Sequence, residues 1–230
     1  MTASVAQRAS PAALEMPPVA EPPKQRRSQA LLDRLIAASE ALLAERDFEH
    51  ITIADIAERA GVSVGVFYTR FATKEHLLAH LTRDLSARLQ ARVARALSPE
   101  KVAWMTMMEI AECYFTLAAD AFVEHRAVIR PLSLVVRLEA HRELRDLVAA
   151  FNTGVHTLLR ERLLAHRKHI RHDDPARAVD FAILAASAVL REVVLYGEPV
   201  SRLGAHQRRI VREAATLCVA YLTFPGAHPR

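Results

Sequence analysis

One stretch of the chain, TIADIAERAGVSVGVFYTRFATK, combines small, hydroxyl-bearing and basic side chains at a spacing suited to hydrogen bonds and methyl contacts. Thr52 and Ser63 are residue types that cap helix N-termini, so two short helices are predicted on either side of a corner that begins at Gly61. In the second helix Phe67 and Phe71 stand one turn apart and share a face. The opposite face is therefore predicted to be free, and it carries Gly65, Val66 and Thr69.

Two helices joined by a short turn with glycine form the unit that many DNA-binding proteins insert into the major groove. A small free face lets the backbone approach base edges, and Val and Thr methyl groups can contact thymine methyl groups. The hydroxyl-bearing and basic residues around it are types that bind phosphate oxygens. The predicted DNA contacts in this stretch are Thr52, Ser63, Val64, Gly65, Val66, Tyr68, Thr69, Arg70 and Lys74. The same helical unit also occurs as a packing element in proteins that do not bind DNA.

The run AERAGVSVGVFYTRFATKEHLL resembles the signature of the tetracycline-repressor (TetR) family of bacterial transcription regulators. The positions that match the family pattern are Gly61, Val62, Ser63, Gly65, Phe67, Tyr68, Phe71, Lys74 and Glu75. The resemblance extends from about Ser28 to Leu78, and it implies a homodimeric DNA-binding regulator whose C-terminal helices bind a small molecule. Two positions depart from the pattern. Val64 stands where the family often has a lysine or another polar residue, and His76 stands where a Glu would complete a capping box with Thr73.

Composition favours an all-α fold of two parts. Glycine is scarce at 6 of 230 residues, 51% of the chain is hydrophobic, and no alternating β-branched runs are found. We predict an N-terminal three-helix domain with a helix-turn-helix over residues 24–72, and a larger helical domain for ligand binding and dimerisation over 73–225. Residues 1–23 are rich in Pro and Ala and are expected to be disordered.

The net charge of +5 permits a polyanionic partner without proving one. Its distribution is more informative, because three basic residues precede the first helix expected from about residue 28. They are predicted to form an arm that contacts DNA, with a solvated tail as the alternative. These residues are Lys24, Arg26 and Arg27.

The fourth predicted helix begins at Thr73 and is long enough to connect the two parts. Lys74 near its start would contact DNA, while Leu85 and Leu89 would pack on the C-terminal core. A tilt of this helix could move the recognition helix, which is our hypothesis for allosteric control.

Met and aromatic residues are frequent in a helix predicted over residues 100–124, a composition typical of pockets for bulky apolar ligands and also of plain cores. A proline at 131 is expected to interrupt the next segment, and a longer helix is predicted over 142–167. The candidate pocket residues are Trp104, Met105, Met108, Tyr114, Phe122 and Phe151.

The last two predicted helices, over residues 175–196 and 205–224, are more apolar than one core requires. We expect them to form a four-helix homodimer seam, or alternatively to complete a monomeric bundle. A dimer would place two recognition helices on a palindromic double-stranded DNA operator.

Other kinds of site are not favoured by the sequence. His166, His169 and His172 lie among basic residues that would repel a metal ion, so no metal or cofactor is predicted. Cys113 and Cys218 lie in apolar patterns typical of core residues. We predict a cytoplasmic regulator that is not an enzyme and has no membrane span. The alternatives are an all-α enzyme, which would need convergent catalytic groups, and a nonspecific DNA-binding protein, which would need a more basic docking face.

Overall fold

The computed structural model describes residues 23–137, 141–197 and 203–224, and within these ranges the regular structure is entirely helical. The prediction of an all-α fold is therefore confirmed. The α-helices are α1 (Pro23–Glu45), α2 (Ile53–Arg59), α3 (Val64–Tyr68), α4 (Lys74–Ala96), α5 (Pro99–Val102), α6 (Met107–Glu124), α7 (Arg126–Arg137), α8 (Arg142–Leu164), α9 (Pro175–Arg191) and α10 (Leu203–Thr223). Short 3-10 turns occupy Phe48–His50 and Arg167–His169, and α9 continues into a π-helical turn, Glu192–Tyr196, called the π-turn below.

The first core lies between α1, α2, α3 and the first half of α4. Leu35 and Phe67 are completely buried at its centre, next to the buried Phe48 and Ile56. Helices α7 and α8 also contribute apolar side chains to this core, among them Leu132. Helix α1 also packs against α7, so the N-terminal helices are in contact with the C-terminal helices. The domain boundary at residues 72 and 73 stays a prediction.

The second core joins α6, α8, α9 and α10 with the last turns of α4. Phe115 and Leu159 are fully buried in it, together with Val93 and Leu97 from α4. Leu85 and Leu89, which we expected in this core, instead pack in the first core with residues of α7 and α8. The second core therefore begins at Val93 and not at Leu85, about two turns later along α4 than predicted.

The N-terminal arm requires a correction. Helix α1 begins at Pro23, so Lys24, Arg26 and Arg27 lie in its first turns and not in an arm before it. Proline is well suited to a first helical position, because its ring fixes a helical φ and no N–H is needed there. The expected disordered tail, apart from Pro23, lies outside the described residues.

Two further helix boundaries differ from the prediction. The helix expected over 100–124 is divided into α5 and α6, because Thr106 and Glu109 form a capping box that starts a new helix. Pro131 lies inside α7 and does not end it. A proline inside a helix costs roughly 3 kcal/mol. The burial of Val128 and Leu132 on either side of Pro131 offsets that cost.

Candidate functional site

Helix α2 is anchored by a reciprocal cap at its first turn. The Asp55 backbone N–H donates to the Thr52 hydroxyl (3.1 Å), and the Thr52 backbone N–H donates to the Asp55 carboxylate (2.8 Å). The backbone hydrogen bond from Thr52 is the main reason that the pKa of Asp55 is lowered. Since the Thr52 hydroxyl also donates to Asp55 (2.7 Å), its single proton is not available to a phosphate. The prediction of a phosphate contact at Thr52 is therefore corrected.

The corner between α2 and α3 depends on one glycine. Gly61 has a φ of 63°, a left-handed conformation that glycine adopts without strain. The next residue, Val62, returns its backbone N–H to the Ala57 carbonyl (2.9 Å), which closes the end of α2. Ser63 then starts α3 by accepting a hydrogen bond from the Val66 backbone N–H (3.3 Å). Because the Ser63 hydroxyl is an acceptor in this cap, its proton remains available to a partner outside the chain.

Helix α3 has one buried and one free face. Phe67 is completely buried and packs 5.8 Å from Phe71, measured between ring centroids, so the two phenylalanines face inward as expected. On the other side Val64 is 41% exposed and Tyr68 is 54% exposed. Gly65 and Thr69 are exposed and Val66 is half-buried. The contact of these residues with DNA stays a prediction.

The free face is unusually bare at Gly65. A Cβ atom built at this position would meet only the Ser63 hydroxyl oxygen, at 3.8 Å. The fold therefore has room for a side chain, although glycine in a helix costs about 0.5–1 kcal/mol relative to alanine. Nothing within the described part of the chain offsets that cost. The missing side chain instead leaves space for a partner that approaches α3 from outside.

Two cations that we predicted as phosphate contacts bind the protein itself. The Lys74 ammonium donates to the carbonyls of Phe48 (2.9 Å), Ile51 (3.0 Å) and Glu49 (3.2 Å), and it lies 4.6 Å from the centroid of the Phe48 ring. All three protons of the ammonium are used, so the phosphate role of Lys74 is corrected.

Arg70 keeps part of its donor capacity. Its Nη2 donates to the Ser28 carbonyl (3.0 Å), and its other N–H groups remain exposed. On α1, Arg27 is exposed, whereas the side chains of Lys24 and Arg26 lie outside the described part of the chain. Arg70 and Arg27 are therefore the exposed basic residues of the predicted interface that the structure describes, and contacts of Lys24 and Arg26 stay a prediction.

A large cavity of about 460 Å³ lies between α4, α6, α7, α8 and α9. Tyr114, Phe122 and Phe151 line it, as predicted for the ligand pocket. Trp104 does not, since it is 94% exposed. Met105 and Met108 pack against the second core outside the cavity lining, so these three pocket residues are corrected. The break before α6 places Trp104 and Met105 in a connection, whereas Met108 lies in the first turn of α6 and packs against the second core.

The cavity also contains polar residues that were not among the predicted pocket residues: His156 from α8, and Ser187 and Arg191 from α9. The Ser187 hydroxyl oxygen is buried and makes no hydrogen bond with correct geometry in the described part of the chain. Burial raises the pKa of the nearby Tyr114 phenol, and the Ser187 hydroxyl opposes that shift. The signal for Ser187 and Arg191 was their polar character within an otherwise apolar helix.

The pKa of His156 in the cavity lining is set first by burial and then by a neighbouring arginine. Burial lowers the pKa of His156, Arg191 lowers it further, and Asp180 acts in the opposite direction. Arg92, a second guanidinium in the lining, is bound by Glu124 (2.9 Å) and Asp120 (3.4 Å). The cavity lining therefore holds a neutral imidazole beside a cation.

An apolar surface lies on the outer side of α9 and α10. The side chains that remain exposed there are Phe181, Leu184, Val189, Leu217, Tyr221 and Phe224. Phe181 packs on Tyr221 across the two helices, with 5.1 Å between ring centroids. The same tyrosine stacks on His172 (4.6 Å), one of the three histidines considered above. None of the helices in the described ranges is long and apolar enough to cross a membrane.

The fold and the α2–α3 unit define an all-helical protein with an N-terminal helix-turn-helix. Residues 35–81 match the sequence model of the bacterial regulatory proteins, tetR family. This match confirms the resemblance carried by residues 57–78.

Relatives resemble different parts of the chain to different degrees. An uncharacterised HTH-type transcriptional regulator of Mycobacterium bovis is 37% identical over 62 residues, which is 27% of this chain. The chain spans 29% of the length of the curated relatives that it matches.

Solved structures agree over most of the chain in fold alone. PfmR, a TetR family transcriptional regulator from Thermus thermophilus, covers 81% of this chain and 97% of its own with a TM-score of 0.65 and 20% identity. The fatty acid degradation regulator FadR from Bacillus halodurans covers 82% of this chain and 94% of its own, with a TM-score of 0.62 and 18% identity.

Proposed function

We propose that the protein is a sequence-specific DNA-binding transcriptional regulator, a homodimeric repressor in the cytoplasm whose operator binding is controlled by a small apolar molecule. The observation that carries this proposal is the free face of α3. It exposes Gly65, Thr69 and part of Val66 opposite two buried phenylalanines, with room for an approaching surface. Such a face can lie against base edges in the major groove.

Specific readout is favoured over nonspecific binding by the chemistry of that face. Val64, Gly65, Val66 and Thr69 carry no charge, whereas sequence-independent binding depends on Lys and Arg. The Thr69 hydroxyl donates to the Val66 carbonyl (2.7 Å), which leaves its methyl group for apolar contact. Arg27, Arg70, Tyr68 and Ser63 would then hold the phosphates on either side.

The apolar surface on α9 and α10 supports a homodimer. Six large apolar side chains are exposed on two neighbouring helices, which is a larger patch than isolated surface residues would make. A two-fold axis through this surface would create a four-helix seam. Two α3 helices roughly 34–36 Å apart would then read a palindromic site.

Ligand control is supported by the position of the cavity. Its walls include Leu85 and Leu89 of α4 and Leu132 of α7, all of which also pack in the first core with α1–α3. Arg126 at the start of α7 donates to the carbonyls of Val194 (3.3 Å) and Gly197 (3.1 Å), which ties α7 to the π-turn. A ligand that changes the packing of these walls would therefore move helices that support the DNA-binding unit.

The decisive experiment is a selection of random duplexes with the purified full chain, followed by gel shift and sedimentation of the complex. We expect a palindromic consensus bound by a dimer. Tyr68→Ala should weaken binding to all sequences alike, whereas Thr69→Ser or Val66→Ala should alter base preference. The control is His169→Gln, an exposed change in the turn after α8. Equal, uniform losses at positions 66, 68 and 69, or no enrichment of any sequence, would contradict the proposal.

A further inference from the structure

The cavity is apolar along most of its wall, and one group of its polar side chains lies where α8 faces α9. Five helices contribute Leu, Val, Ile and Phe side chains to the lining. The polar groups His156, Ser187 and Arg191 come from facing positions on α8 and α9 and form what we call the polar corner. A site of this kind holds an apolar body and fixes its orientation through a few polar contacts.

The two arginines in the lining differ in what they already bind. Arg92 is neutralised by Asp120 and Glu124. Arg191 is half-buried, and within the described part of the chain it makes no hydrogen bond or ion pair. The one carboxylate that acts on neighbouring His156, that of Asp180, is bound by Arg160 at 2.7 Å. Arg191 is therefore a cation at an apolar cavity without a counter-charge among the described residues.

A cation at the wall of an apolar cavity attracts an anion more strongly than a cation in bulk water does. Guanidinium groups bind carboxylates in a planar, two-pronged geometry, and the buried Ser187 hydroxyl can donate to the same anion. The charge balance of the lining leaves one positive charge uncompensated, which matches a monoanion better than a multiply charged head group. The π-turn begins directly after Arg191, and such turns in helices are frequent at functional sites.

We propose that the effector of this regulator is an apolar monocarboxylate, whose carboxylate pairs with Arg191 and the Ser187 hydroxyl while its hydrocarbon part fills the cavity. The inference rests on the proposed ligand control and names the chemical class of that ligand. It assigns Arg191 as the residue that selects the anion and Arg92 as a structural residue of the wall.

Calorimetric titration at pH 8 with dodecanoate and with methyl dodecanoate tests this directly, because the two probes share a hydrocarbon chain and differ in charge. We expect dodecanoate to bind the wild type about 10-fold or more tightly than the ester, as for hydrogen bonds to a charged group. Arg191→Gln should reduce this ratio to about one, with little change in the ester affinity, and Arg191→Lys should restore part of it.

The matched control is Arg95→Gln, which removes the same charge from an exposed position on α4 that does not line the cavity. It should keep the preference of the wild type for the acid. Equal binding of acid and ester, no binding of dodecanoate, or equal losses for both probes in Arg191→Gln would overturn the inference. So would dissociation of the Arg191→Gln dimer in sedimentation, since Arg191 would then bind a second copy of the chain. If duplex selection fails while the Arg191-dependent preference holds, the regulator proposal fails and the ligand class stands.

Discussion

The helix-turn-helix and the cavity use their polar groups in opposite ways. Around α2 and α3, the polar groups are already hydrogen-bonded within the protein. Thr52 and Asp55 bind each other, and Lys74 binds backbone carbonyls. Around the cavity, Ser187 is buried without a satisfied partner and Arg191 has no counter-charge in the described structure. The first region presents a fixed shape, and the second presents unused bonding capacity. The helix-turn-helix therefore suits a partner that is recognised by its shape. The cavity suits a ligand that supplies a hydrogen bond to Ser187 and a negative charge for Arg191.

The largest effect is expected from the core that fixes this shape. Phe67→Ala removes a completely buried ring that touches Phe71 and Tyr68, so we expect a loss of about 3–5 kcal/mol in the free energy of unfolding. Urea denaturation measures it, and DNA binding should be lost at the same time. Val64→Ala, on the exposed side of the same helix, should change stability by less than about 0.5 kcal/mol. Similar losses for both variants would show that the two faces of α3 are assigned incorrectly.

The next largest effect should come from Lys74. Replacing it with Met leaves three carbonyls near Phe48 without their donor and should destabilise the protein by about 1–3 kcal/mol. Because its ammonium contacts no phosphate in our account, the salt dependence of DNA binding should not change. Arg27→Gln is the matched comparison, and it should reduce the slope of log affinity against log salt by about 0.9. A reduced slope for Lys74→Met would restore the phosphate role that the structure contradicts.

A smaller effect, of opposite sign, is expected at Gly65. Gly65→Ala should stabilise the free protein by roughly 0.5–1 kcal/mol, since there is room for the Cβ and helical glycine is unfavourable. The same change should weaken operator binding, because the added methyl group lies on the docking face. Thermal melting measures the stability and gel shift measures the operator binding, both on the same preparation. If Gly65→Ala were more stable and bound DNA as before, the proposal that α3 contacts DNA closely at Gly65 would be contradicted.

The features predicted well from the sequence are those fixed by neighbouring residues. The cap at Thr52, the left-handed Gly61 and the cap at Ser63 are each decided within four residues, so the helix-turn-helix followed from the sequence. The start of α9 at Asp174 and Pro175 is local in the same way. The start of α6 is also fixed by neighbouring residues, since Thr106 and Glu109 form a capping box. We did not predict it, because the helical spacing of the Met and aromatic residues suggested one continuous helix.

The cavity could not be predicted in this way, because five helices distant in sequence form it. The hydrophobic pattern of α6 identifies apolar residues, but it does not show whether they face the cavity, the core or solvent. The same pattern included Trp104, which lies before α6 and is exposed, and Tyr114, which lines the cavity. Likewise, the counter-charges that neutralise Arg92 lie on another helix, so only the structure distinguishes it from Arg191.

The smallest predicted effect distinguishes the two regions by pH. Burial lowers the pKa of His156 below its ordinary value of 6.5, and the neighbouring Arg191 adds to this, while Asp180, held by Arg160, opposes it. Below pH 6.5 the unfolded chain therefore binds a proton that the folded chain does not, and the free energy of unfolding falls until the folded His156 also titrates. Above pH 6.5 this contribution is constant.

The carboxylates of the helix-turn-helix titrate in a lower window. The pKa of Asp55 is lowered from 3.8 and that of Glu45 from 4.5, so their stabilising contributions are lost only as the pH falls below these values. Urea denaturation at pH 7.5 and pH 5.5 should therefore show a smaller loss of stability in His156→Gln than in the wild type or in the exposed control His169→Gln. Identical losses in all three proteins would mean that His156 is not held neutral beside Arg191, and the cavity would then lose the electrostatic contrast with the DNA-binding unit.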